Sequence, residues 1–325
     1  MNASANERKR KTVAFLATGV LLAILVLASV EVPQTVRAGG MGPGQSNLNA
    51  VASPTPLPHL LWQYDVVVAL NPAHCAGQQE GLGFHGNANT MISGGGALTY
   101  GCLTGYGQGD VMIEPPYGFR FARDFAGGGA NFDPDPEWVR NLIQLQVDFT
   151  DQVQAACDQL PANVAKRSDR STDAVIPPGN YSSIIVTDTL TMLPGLYCLT
   201  GNLMVYSGAM LTGEGVTIYM TGGNFTMSGG AEVHLAAPAE GILSDPLWRD
   251  LLLYVANDHA ATVNLRGNTL SNYHGVVYAP ASDIYVSYAG SYHTQIIGWN
   301  MQIGSTSDII LSVDFWPGMP SPDLR

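Results

Sequence analysis

The sequence predicts an all-β fold: a single-stranded right-handed parallel β-helix, a pectin-lyase-like solenoid, with one flanking or capping helix and an N-terminal transmembrane or signal segment. Three observations predict it. Short strands ending in tyrosine recur at about one solenoid turn: Gly195-Leu196-Tyr197, Gly215-Val216-Thr217-Ile218-Tyr219, Leu252-Leu253-Tyr254 and Gly275-Val276-Val277-Tyr278 place their tyrosines 22, 35 and 24 residues apart, the longest interval containing an insertion at about residues 238–250. Between them lie apolar dyads such as Leu203-x-Val205, Phe225-x-Met227, Val233-x-Leu235, Val263-x-Leu265 and Ile284-x-Val286, with no helical pattern in between. A fixed period of this size means coils stacked on one another, because no coil can bury its apolar side alone. Finally, 37 glycines in 325 residues, without a collagen period, suit many tight turns between short strands.

Taken in order, residues 1–11 form a basic cytoplasmic end carrying Arg8, Lys9, Arg10 and Lys11, followed at 12–31 by a membrane anchor or signal segment. The apolar run at 12–30 is close to the shortest stretch that spans a bilayer and long for a signal-peptide core. Positive charge before it keeps that end inside and sends the rest outward. Val36-Arg37-Ala38 puts small residues where a signal peptidase would cut. Both readings imply export. Residues 32–60 read as a flexible Gly/Pro/Ser/Asn-rich linker.

Residues 61–315 form one β-helix domain of eight to ten coils. Its first strand is residues 64–70, and segments 89–93 and 109–113 carry Met-Ile pairs 21 residues apart. Gly94-Gly95-Gly96 and Gly127-Gly128-Gly129 are turns; neither has the Lys-Ser/Thr sequel of a phosphate loop. Asp135-Pro136-Glu137 opens a helix near 136–157, with Asp135 as cap and Trp138, Leu142, Leu145, Phe149 and Val153 on one face, packed on the solenoid. A polar loop at 166–174 leads into the regular coils of 176–313, and 316–325 form a tail.

The net charge of −12, with 14 Lys and Arg, excludes nucleic acid as a partner, since phosphate neutralisation needs a basic face. Cys75, Cys102, Cys157 and Cys198 agree with an oxidising compartment. Of three possible pairings, chain order favours Cys75–Cys102 and Cys157–Cys198, each tying a loop to a neighbouring coil. The absence of CxxC spacing gives no support for zinc.

Parallel β-helices include polysaccharide lyases and hydrolases, which need carboxylates gathered on one face. Asp283, Asp308 and Asp314 are separated by 25 and 6 residues, and Arg266 has no acidic neighbour in sequence, so no catalytic residue is expected. Asp133-Pro134-Asp135-Pro136-Glu137 suits helix capping better than a calcium loop. His274 and His293, 19 residues apart, can stack in adjacent coils but bring no acidic third ligand, so neither metal nor cofactor is expected. The aromatic set Tyr273, Tyr278, Tyr285, Tyr288, Tyr292 and Trp299 offers a binding face if several point outward. Tyr285, Tyr288 and Tyr292 flank turns and are the candidates for exposure; Tyr278, after two valines, is expected to be partly buried.

The run Val68-Ala-Leu-Asn-Pro-Ala-His-Cys75, then Phe84-His-Gly-Asn-Ala-Asn-Thr-Met-Ile-Ser-Gly-Gly-Gly96, resembles exported bacterial TadE/TadG-like proteins associated with assembly of Flp-type pili. Ile176-Pro-Pro-Gly-Asn-Tyr181, Leu193-Pro-Gly-Leu-Tyr-Cys198 and Leu211-Thr-Gly-Glu-Gly-Val-Thr-Ile-Tyr219 are similar to the same group. The resemblance, over residues 65–313, implies a single membrane span, a β-helical extracytoplasmic region and no established catalytic residues. The function expected is a non-enzymatic exported scaffold or adhesive protein of the envelope or cell surface, associated with pilus assembly. The alternative is a carbohydrate-binding or polysaccharide-degrading β-helix protein. The expected partners are envelope or pilus proteins, further copies of the chain, or surface glycans, with the membrane reached through the N-terminal segment.

Overall fold

Three parallel sheets, each about ten rungs deep, wrap one apolar column in the computed structural model. It describes residues 64–76, 80–140, 142, 148–163, 166–168, 174–239, 249–287 and 290–313, all within the Ala52–Arg325 unit. The N-terminal segment, the linker, Leu145, Tyr288, Asp314 and the tail lie outside these residues. In stacking order the first sheet runs Gly179–Tyr181, Gly195–Leu199, Val216–Met220, Leu251–Val255, 276–279, 295–298, Asp65–Ala69, Gly96–Thr99, Phe119–Phe121 and Glu137–Trp138. The second begins at Lys166–Ser168, passes through Thr262–Leu265, 283–286 and 300–303, and ends with Leu82–Gly86, Leu103–Gly107 and Phe125–Gly127. The third begins at Ala174–Ile176, passes through 272–274, 291–293 and Ile309–Ser312, and ends with Thr90–Ser93, Asp110–Ile113 and Asn131–Asp133.

The dyads seen in the sequence are the inward halves of these strands. Ile184, Leu203, Phe225, Val263, Ile284, Met301, Leu82 and Leu103 stand in register down the second sheet, and none is more than 1% exposed. Each such side chain contributes roughly 1.5–3 kcal/mol on burial, so stacking, and not any single coil, supplies the core.

Stacking order differs from chain order. The rungs built from 166–313 follow one another, and those built from 64–138 then dock on the last of them, through Val67 on Ile296, Leu82 on Met301 and Ile92 on Leu311. Between Trp138 and Lys166 the chain crosses back over the first sheet. This return carries helix α1, Thr150–Cys157.

The helix is shorter than expected and begins later. Glu137–Trp138 forms an edge strand on Arg120 and Phe121 in place of a first helical turn. The physical reason is tertiary: pairing with the edge of the first sheet at Arg120 and Phe121 overrides the local helical spacing. The expected capping role of Asp135 falls away: the N-cap is Phe149, with no side-chain cap, and Asp148 Oδ1 just before it accepts from the Thr150 N–H at 2.9 Å. Phe149 and Val153 are buried as the helical face required, whereas Trp138 is exposed. The two disulfides join Cys75 to Cys102 and Cys157 to Cys198, as chain order favoured. No helix among the described residues is long and apolar enough to cross a membrane.

At the corner between the second and third sheets the backbones of successive rungs nearly touch. Gly107 sits at φ +124°, and a Cβ there would lie 1.8 Å from the Gly86 carbonyl oxygen. Both steric and conformational strain forbid a side chain. Gly107→Ala is expected to lower stability by about 2–4 kcal/mol, read as a drop in thermal midpoint.

Candidate binding face

Among the described residues, the return segment packs on the first sheet. Along the outward row of the first sheet, Asn180, Cys198, Tyr219, Tyr254 and Tyr278 stand in register. The three tyrosine rings stack at 5.3 and 5.7 Å, and Phe149 sets its edge against Tyr254 and Tyr278 at 6.0 and 6.3 Å. Cys198 bonds the end of α1, and Asn180 Nδ2 donates to the Cys157 and Leu160 carbonyls. Tyr278 is thus fully buried, not partly.

This packing has a titration signature. Burial pushes the Tyr219 hydroxyl up to about 12, and the neighbouring acids Asp258, Asp148 and Asp151 add to the shift. A raised folded-state value means the stability it carries is complete below pH 10 and is lost as pH rises from 10 towards 12. The Tyr219 hydroxyl is buried without a hydrogen-bond partner among the described residues. Tyr219→Phe is therefore expected to leave the melting temperature at pH 7 unchanged or raised, and to delay its fall above pH 10.

The outward side of the second sheet is only partly exposed: Asn264 and Tyr285 are half-buried, whereas Gln302, Gly83 and Thr104 are buried. One row there holds Asn264, Tyr285, Gln302, Gly83 and Thr104 in register. A second row, nearer the corner with the third sheet, holds Gly304, His85 and Tyr106 in register. Arg266 and Ser287 belong to this row, since each follows a residue, Leu265 or Val286, in register with Ile303. The His85 and Tyr106 rings are parallel, 5.6 Å apart with 4° between their planes. The His85 Nε2 meets Gln302 Oε1. A cavity of about 350 Å³ opens here, lined by His85, Gly86, Arg266, Ser287, Gly304, Ser305 and Thr306.

What sets this face apart is unmet hydrogen bonding. Thr104 Oγ1, Gln302 Nε2 and Ser287 Oγ are buried without partners among the described residues. Buried polar groups are nearly always paired, and each one left unpaired carries a desolvation cost of about 1–3 kcal/mol. Three such atoms lie beneath this face, Thr104 being fully buried.

The third sheet is flat and mixed in character. Its outward row reads Thr191, Thr212, His234, Asn272, Ser291, Ile310, Met91 and Met112. Thr191 and Thr212 share a hydroxyl hydrogen bond of 3.0 Å, while Ile310, Met91 and Met112 make an exposed apolar stripe. In the next row His274 and His293 lie on adjacent rungs, 6.5 Å apart, and His293 Nδ1 bonds Ser312 Oγ at 2.8 Å. Among the described residues no group of three or more His, Cys, Asp or Glu is placed to hold a metal ion.

Of the tyrosines expected outside, Tyr285 lies on the second sheet's outward face, half-buried. Tyr292 is corrected: it is 1% exposed, stacked on Tyr273 at 5.4 Å, its hydroxyl donating to the Leu265 and Ser287 carbonyls. The cause is parity, since Ser291 and His293 take the outward side of that strand. Tyr288 is outside the described residues. Asp283 accepts from Asn300 Nδ2 at 2.8 Å, and Asp308 accepts from the Asn89 N–H at 2.9 Å. Sequence reasoning passed over Tyr106, Gln302 and Ser287, which the docking of residues 64–138 on the final rung brings beside His85. The Met-Ile pairs of segments 89–93 and 109–113, 21 residues apart, were the available signal, because they placed His85 and Tyr106 at equivalent points of adjacent coils.

No protein-family model matches this sequence. No curated protein matches it either. Among solved structures, the chain is similar to the crystal structure of an ice-binding protein from an Antarctic biological consortium, with 17% identity over 84% of this chain and 96% of that one, at a TM-score of 0.29.

Proposed function

We propose that this is a non-enzymatic exported surface protein, a disulfide-tied solenoid that presents the outward face of its second sheet to an extended partner. The observation that carries this reading is the parallel ring pair of His85 and Tyr106 beside a cavity of about 350 Å³ lined by His85, Ser287, Ser305 and Thr306. Planar rings and hydrogen-bonding groups at a fixed rung spacing suit a polymer or surface that itself repeats. The first sheet, closed by α1, serves stiffness; the second serves contact. Flp-type pilus or envelope assembly is the setting the sequence resemblance offers, with the N-terminal segment as tether.

A glycan partner is favoured over a protein one by the ring pair and the shallow polar rows, because sugars are bound by stacking on rings together with hydrogen bonds. The test is depletion of the full-length protein from solution by insoluble polysaccharides, by isolated cell envelopes and by growing ice, with released sugar measured in parallel. Retention on one of these without sugar release is the expected result. Release of reducing or unsaturated sugar would overturn the non-enzymatic reading, and retention on none would overturn the contact face.

A further inference from the structure

We propose that the end of the column at Phe121–Trp138 is an interface between two copies of this chain, joined end to end about a two-fold axis; the inference is independent of the contact face above. The inward rows of all three sheets run on to this end and stop there in aromatic residues. Phe121 and Trp138 continue the row of Thr99, Phe125 continues that of Leu103, and Phe132 that of Val111. One coil earlier these positions are closed to solvent, Thr99, Leu103 and Val111 being at most 3% exposed. Phe125 and Trp138 stand in the same rows, yet they are 41% and 52% exposed. They are core residues left outside because, among the described residues, no further coil lies on them. Phe121, Phe125 and Phe132, one from each sheet, meet at this end with ring centroids 5.9 and 5.4 Å apart. The strands Phe125–Gly127, Asn131–Asp133 and Glu137–Trp138 are paired on one side only among the described residues, so three strand edges are open as well. A partner that covers both rings and edges must itself bring strands.

Two features select a second copy that meets this end with its own. The first is that the opposite end of the column is blunted. There Ala162 bridges Asn180 across the edge of the first sheet, and Lys166 stands in register with the buried Ile184. A charged residue at an inward position of a terminal strand guards against edge-to-edge pairing. Head-to-tail stacking would set this lysine on Phe125 and would also run on without closing. Two aromatic ends meet without either penalty. The winding sense of the coil reverses across a two-fold axis perpendicular to the column, so the open edges meet antiparallel, the slightly more stable pairing per residue. The second feature is the charge of the rim, which carries both signs. Asp133, Asp135 and Glu137 are exposed, and so are Arg123 and Arg140, the Arg140 guanidinium lying 4.6 Å from the centre of the Trp138 ring. A rim of one sign would repel its own copy, whereas a mixed rim sets acid against arginine across the axis, the self-complementarity that a two-fold interface requires.

The full-length protein, held in mild detergent, is followed by sedimentation velocity over about a hundredfold range of concentration. A reversible equilibrium between monomer and dimer, with nothing larger, is expected. Trp138→Asp should raise the dimer dissociation constant at least tenfold, because it sets a charge at the centre of the interface. Arg140→Glu, at an exposed rim position, should raise it about threefold or more and keeps the test decisive if the tryptophan variant misfolds. Lys166→Glu, at the opposite end, should leave the dimer unchanged. Monomer at every concentration would overturn the proposal and leave this end to another partner. Association that continues past the dimer would overturn the two-fold arrangement in favour of head-to-tail stacking. A dimer indifferent to both Trp138→Asp and Arg140→Glu would place the contact elsewhere in the chain and overturn it as well.

Discussion

Tyr254→Ala is expected to destabilise the protein by about 3–5 kcal/mol, the range for truncating a large buried aromatic side chain. The ring is fully buried between Tyr219 and Tyr278, with Phe149 against its edge. Its hydroxyl lies 2.9 Å from Thr150 Oγ1, bonds Asn257 Oδ1 and Asp148 Oδ1, and accepts from the Phe149 N–H. One side chain thus fastens the start of α1 to the first sheet. Tyr254→Phe keeps the ring and removes the hydroxyl, at a cost of about 1–3 kcal/mol from the partners it strands. The ring therefore dominates. Thermal unfolding measures both variants, and limited proteolysis in 148–163 should rise in the alanine variant at temperatures where the sheets remain intact. A phenylalanine variant as unstable as the alanine one would show that the hydroxyl network, not the ring stack, holds the helix.

The second large effect is expected from Cys157→Ala with Cys198→Ala. The disulfide closes a loop of 41 residues, from the end of α1 to the first sheet. Constraint of the unfolded chain by a loop of that length amounts to about 4 kcal/mol in the chain-entropy treatment. The paired substitution avoids leaving a lone thiol, and its melting curve should match that of the parent protein under reducing conditions once the Cys75–Cys102 contribution is subtracted through its own paired variant. Tyr254 and Cys198 fasten the same segment to the same outward row. Combining Tyr254→Ala with the paired cysteine variant is therefore expected to cost less than the sum of the separate effects. Strict additivity would mean that the two ends of the return segment hold independently.

Much of the fold was legible because its two signals are periodic. The tyrosine intervals report a turn length, and Tyr219, Tyr254 and Tyr278 stand as a registered column, although Tyr197 pairs with Ile218, one position off it. The apolar dyads report an inward side and also stand in register. The helix was misplaced because amphipathic spacing at Trp138 and Leu142 carries no information about the sheet edge at Arg120 and Phe121 with which Glu137–Trp138 pairs. Tyr292 was misjudged because a residue near a turn has no parity until the strand boundaries are known. The ring pair and its cavity were out of reach for a different reason. His85 and Gln302, which touch, are 217 residues apart, and a local pattern cannot show that the first coils of the chain stack on the last.

That stacking order also settles which part of the sequence the whole assembly waits for. Residues 291–305 lie between 272–286 on one side and Asp65–Ala69 with Leu82–Gly86 on the other. They are a keystone laid last: during synthesis the coils of 64–138 emerge first and keep an unpaired edge until residues 291–305 have followed. Such long-range closure is slow to form and leaves strand edges open to wrong partners meanwhile. Trimming the chain at residue 290 would not shorten the column from its tip, as it would in an ordinary solenoid, but cut it through the middle into two pieces that no longer share a core.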